Sequence, residues 1–107
     1  MNVSVAFESK PRHTTPWLSV EFPIDEEPRD LFSALTEIGW AEEMRYPRIP
    51  PLDGVQEAHI IPPTGSDLFG SWNKRERREH MRQVRRVLRE QGFVDVPWHK
   101  LTWADLV

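Results

Sequence analysis

The stretch Lys74–Gln91 constrains this chain most, because its apolar and charged residues separate at helical spacing. At about 100° of rotation per residue, Met81, Val84, Val87 and Leu88 gather on one side. Lys74, Arg78, Arg82, Arg85 and Arg89 gather within an arc of about 80° on the other, and Arg75 and Arg86 widen it. Such a helix buries one face and turns the other to water or to a partner. It is expected to begin between Ser66 and Asn73 and to end before Gly92, a residue suited to the left-handed turn that closes helices.

The cationic face is not arranged for helix stability. Neighbours three and four residues apart repel by a few tenths of a kcal/mol per pair, and Glu79 and Glu90 trim only the edge. Seven of the eight cations in Lys74–Arg89 are arginine, whose planar fork pairs bidentately with phosphate or carboxylate. One reading is a polyanion-binding surface made of Lys74, Arg75, Arg78, Arg82, Arg85, Arg86 and Arg89. The other is a solvated face partly neutralised by the acidic segment Glu21–Asp30 folded nearby. A membrane-surface role ranks below both, because the apolar side is needed for the core. Arg77 falls in the apolar sector, where it either snorkels past Met81 and Leu88 or makes a buried pair; with Glu76 and His80 it is expected to form a polar patch, structural before a contact with another chain.

The rest of the chain tells the helix what to pack on. Asn2–Phe7 and Trp17–Phe22 alternate as half-buried strands do, with Val3, Val5 and Phe7, then Leu18, Val20 and Phe22, on the apolar side. Pro28 opens a helix with the stripe Leu31, Phe32, Leu35 and Ile38, and Gly39 closes it. Trp40–Tyr46 alternates loosely, with Trp40, Met44 and Tyr46 on one side. Val55–Ile61 forms a short strand that Pro62 and Pro63 stop. Thr64–Gly70 is turn and cap chemistry. Phe93–Val96 is a further strand, and Thr102 caps a last turn over Trp103–Leu106.

This order predicts an α+β fold with an antiparallel sheet of 4–5 strands and two main helices on one face. From Trp17 onward it is ferredoxin-like, β-α-β-β-α-β, with an N-terminal strand and a short C-terminal helix added. A chain of 107 residues suits one domain, 1–107. No run approaches the roughly 20 apolar residues of a membrane helix, and Met1–Ala6 has no signal-peptide pattern. A cytoplasmic protein without a membrane role is expected.

The net charge of −3 conceals a division. Residues 1–73 carry 12 acids against 5 Lys/Arg, a balance of −7, and residues 74–107 carry 9 Lys/Arg against 5 acids, a balance of +4. Such asymmetry concerns partners more than fold.

Catalytic signatures are missing. Without cysteine there is no thiol nucleophile or thiolate metal site. The four histidines form no HxH or HExxH group, and the glycines are isolated. Glu57 and His59 share one face of their strand, and two ligands are not a site. No catalytic residue, metal or cofactor is therefore assigned. An enzyme reading would need Glu57, His59 and another histidine to converge in one pocket. Tyr46–Leu52 contains a PxxP spacing that reads as a rigid connector.

Five tryptophans are many for this length. Trp40 and Trp72 suit the core. Trp17, Trp98 and Trp103 are the candidates for exposure and, with Glu26 and Glu27, for a protein interface. The expectation is a small non-enzymatic binding protein that engages a polyanion, nucleic acid before an acidic protein surface. The alternative is a protein–protein module, an inhibitor or assembly subunit that mates segment 21–30 and the basic helix with a partner or in a homo-oligomer.

Overall fold

A computed structural model describes residues 2–48, 51–63 and 72–106. The turn chemistry expected over 64–70, and positions 49 and 50 of the PxxP segment, lie outside the described residues.

The elements run β1 (Ser4–Ser9), β2 (Trp17–Pro23), α1 (Arg29–Glu37), β3 (Ala41–Pro47), β4 (Val55–Ile61), α2 (Lys74–Glu90) and β5 (Trp98–Lys100), followed by a 3-10 turn over Trp103–Leu106. Together they make a small α+β fold with a five-stranded mixed sheet in the order β3-β4-β2-β1-β5. Leu18, Val20, Phe22, Ala58 and Ile60 from the sheet join Leu31 and Leu35 of α1 and Met81, Val84, Val87 and Leu88 of α2 in one apolar cluster. Period-2 alternation in the strands supplies one side of that cluster and the two helical stripes supply the other.

Two expectations are corrected here. The sheet is not wholly antiparallel, because β1 pairs in parallel with β5, Phe7 opposite Trp98. Nor is the order ferredoxin-like, since that plan sets the last strand beside the first strand of the β-α-β unit, here β2. β1 occupies that place instead, antiparallel to β2 on one side and parallel to β5 on the other. The reason lies in β1 itself. Phe7 is fully buried, and Val3 and Val5 pack against the core, so the strand lies within the sheet, with a neighbour on each side.

The last strand also falls later than expected, at Trp98–Lys100 and not at 93–96. Asp95 has φ +54°, which breaks extended pairing. Pro97 then delivers its carbonyl to the Phe7 amide at 2.8 Å and the ladder begins. In β3 a register shift between Glu42 and Met44 puts Trp40 in the core and Met44 on the other face. That bulge is what loosened the alternation in the sequence.

Both helices lie over the Leu18/Val20/Phe22 face. Register sets out the opposite one. Tyr46, Glu57, Glu21 and Ser4 form one row across the strands, and Met44, His59, Ser19 and Ala6 form the next.

Candidate functional site

α2 starts cleanly because Asn73 caps it. Its Oδ1 accepts the Glu76 backbone amide at 2.9 Å, while its Nδ2 donates to the Glu76 carboxylate. The preceding residue is clamped as well. Trp72 N donates to Thr15 Oγ1 at 2.8 Å, and Thr14 Oγ1 donates to Trp72 O at 3.0 Å. The buried Trp72 ring stacks on His80, with centroids 4.8 Å apart, and meets Trp40 edge-on. The polar patch expected of Glu76, Arg77 and His80 therefore does not form. Glu76 serves the cap, His80 the Trp72 ring, and Arg77 lies over Trp98 at 5.4 Å.

Six of the seven cations assigned to the polyanion surface are exposed: Lys74, Arg75, Arg78, Arg82, Arg86 and Arg89. Arg75 and Arg86 reach Glu79 and Glu90 at 3.6 and 3.8 Å in solvent-exposed i,i+4 pairs, which restrain them weakly. Lys74, Arg78, Arg82 and Arg89 form no ion pair among the described residues. Arg85 differs. It is half-buried, its Nη1 donates to Val96 O at 3.2 Å, and its guanidinium lies 5.0 Å from the Phe7 ring centroid. Lys74, Arg77, Arg78 and Arg85 border a groove of about 440 Å³ whose apolar lining comes from Met81 and Trp98.

The acidic segment forms its ion pairs elsewhere. Glu21 pairs with Arg48 at 3.3 Å, and Glu27 pairs with Arg45 at 2.7 Å and Arg29 at 3.7 Å. Asp25, Glu26 and Asp30 are exposed, and no ion pair joins segment 21–30 to α2 among the described residues. Of the interface tryptophans, Trp103 is 67% exposed. Trp98 is half-buried, with its Nε1 donating to Ser9 Oγ at 2.9 Å. Trp17 is half-buried on the helix-free face of the sheet, 5.8 Å from the His59 ring.

That face holds a second polar cluster. Glu57 accepts from Ser19 Oγ at 3.0 Å on one oxygen and from Tyr46 Oη on the other. The same phenol meets His59 Nε2 at 2.5 Å. Burial first, and the Glu57 carboxylate second, push the Tyr46 phenol above its ordinary pKa, so it stays protonated. Beside His59 opens a cleft of about 270 Å³, to which His13, Trp17 and Met44 also contribute. The Glu57/His59 pairing was legible from strand spacing. Ser19 and Tyr46 were not, because they arrive from β2 and β3 through register. No protein-family model, curated protein or solved structure matches this chain. Among the described residues no group of three or more histidines and carboxylates is placed to hold a metal, and no helix is long and apolar enough to cross a membrane.

Proposed function

We propose that this protein binds nucleic acid through α2, laying its cationic face along the phosphate backbone. The observation that carries the reading is the set of four exposed cations, Lys74, Arg78, Arg82 and Arg89, with no internal ion-pair partner among the described residues. A helix kept soluble by its charges would pair them; here the acidic segment pairs elsewhere. Phosphate contacts position a protein on nucleic acid without reading sequence. Sequence selectivity is accordingly low, and affinity falls steeply as salt displaces the released counterions. The groove at Trp98 adds an apolar strip between Lys74, Arg77 and Arg78, which suits an unpaired base beside the backbone.

The test reverses the free cations and leaves Arg85 alone. Arg78→Glu, Arg82→Glu and Arg89→Glu together should abolish retention on heparin and on single-stranded DNA at low salt. Restoring them one at a time should steepen the log-affinity against log-salt slope by about 0.7–0.9 for each phosphate contact regained. Retention unchanged in the triple variant overturns the reading.

One observation favours the assembly alternative. Asp25, Glu26 and Asp30 are exposed, as are the cations of α2, so two opposite patches remain available for mating between copies. Size-exclusion chromatography across salt separates the two readings. A dimer that dissociates in high salt and is lost in the triple variant supports assembly, and a monomer throughout excludes it.

A further inference from the structure

We propose that the cleft beside His59 binds a small, neutral, planar heteroaromatic ring, held by a ring N–H donated to His59 Nδ1. The hydrogen-bond network fixes which nitrogen is available. An ionised carboxylate only accepts, so Glu57 takes the single phenolic proton of Tyr46. The Tyr46 oxygen is then left as an acceptor, and His59 Nε2, 2.5 Å away, must be the donor. In neutral imidazole a proton on Nε2 leaves a lone pair on Nδ1. That nitrogen has no partner among the described residues. With Tyr46 Oη at 2.5 Å and a Glu57 carboxylate oxygen at 3.5 Å from Nε2, the neutral His59 ring is thus held in one tautomer and presents one acceptor.

The surroundings choose the ligand. A volume of about 270 Å³ lies just under the usual range for drug-sized molecules, which begins at roughly 300 Å³. One ring or two fused rings fit. Trp17, Met44 and Ile61 give the cleft aromatic and aliphatic walls, while Lys10 and Glu43 contribute charges of opposite sign. Opposed charges select against a strongly anionic or cationic ligand, and the walls favour a flat apolar one. An acceptor on a residue that lines such a space rewards a donor and penalises an oxygen in its place.

Indole and benzofuran have nearly the same shape and differ in one atom, N–H against O. In the full chain, NMR titration with each probe should shift the ring signals of His59 and Trp17, with indole binding about ten-fold tighter than benzofuran. His59→Phe should retain the apolar walls and bring the two affinities together. Tyr46→Phe removes the acceptor that holds the tautomer and should narrow the preference while indole still perturbs Trp17. Adenine as a third probe distinguishes nucleobase from indole-type ligands, since both present a ring N–H. Equal affinity of indole and benzofuran for the wild-type chain, an undiminished preference in both variants, or perturbation confined to residues outside the cleft would overturn the proposal. The cations of α2 take no part in this cleft, so its failure and that of nucleic-acid binding are read separately.

Discussion

Arg85 Nη1 donates to the Val96 carbonyl at 3.2 Å and so fastens α2 to the segment that leads into β5. The cation also lies over Phe7, at the centre of the core. Arg78, seven residues earlier, has no comparable tie among the described residues. Arg85→Ala should therefore lower the unfolding free energy by about 1–2 kcal/mol, from one hydrogen bond and one partly desolvated cation–π contact. Arg78→Ala should stay within about 0.5 kcal/mol of wild type. Urea denaturation measures both, and equal losses would contradict this division of roles.

The Asn73 cap offers a second test. Replacement by alanine leaves the Glu76 amide without its acceptor and should destabilise the protein by about 1 kcal/mol. Asn73→Asp keeps the acceptor for the Glu76 amide but loses the Nδ2 donor and sets a second carboxylate against that of Glu76, so its stability should fall between those of the alanine variant and the wild type. Thermal unfolding followed by circular dichroism would rank the three proteins.

Tyr46 is the single tyrosine of the chain, so its ionisation is observable without interference. Its phenol is held above the ordinary value of about 10 by burial and by Glu57. A raised phenol binds a proton in the folded chain that the unfolded chain has released. The stabilisation is complete below pH 10 or so and is lost as pH rises through the folded value. At about pH 11 the native protein should show little phenolate absorbance, which should appear in full once denaturant is added. Phenolate already present in the native protein near pH 10 would refute the Tyr46–Glu57 bond. Tyr46→Phe should flatten the alkaline decline in melting temperature.

Gly39 and Gly92 both follow helices, with φ of +87° and +93°. A methyl group at Gly92 meets nothing within 4 Å, whereas at Gly39 it would stand 3.2 Å from the Pro63 side chain. Gly92→Ala should cost about 1 kcal/mol from backbone conformation alone. Gly39→Ala should cost more, because the ring of Pro63 crowds it, and paired chemical melts would show the difference.

Local pattern made most elements readable. Alternation located β2, Pro62 and Pro63 located the end of β4, and the stripe Met81, Val84, Val87 and Leu88 located the buried side of α2. What alternation does not encode is which strands become neighbours. The burial of Phe7 was visible, but the insertion of β1 between β2 and β5 follows from pairing over long separations. The same holds for the sites. The cationic arc was present in the spacing of 74, 78, 82, 85 and 89, while the diversion of Arg85 depended on Val96 passing beneath it. Tyr46 joined Glu57 and His59 only because the bulge after Glu42 reset which β3 side chains face away from the helices.

The partners Phe7 and Trp98 are 91 residues apart (98 − 7), yet they lie in adjacent strands. During synthesis β1 and its neighbour β2 emerge long before the residues that cover the other edge of β1. Until Pro97 and Leu101 contribute the carbonyl and amide that meet Phe7 and Ser9, one edge of β1 has free backbone groups. Closure over so long a loop is slow, and an unpaired edge invites pairing with other chains. The three-residue strand β5 is thus the latch of the fold: until residues 98–100 dock, β1 presents an adhesive edge one strand in from the margin of the future sheet.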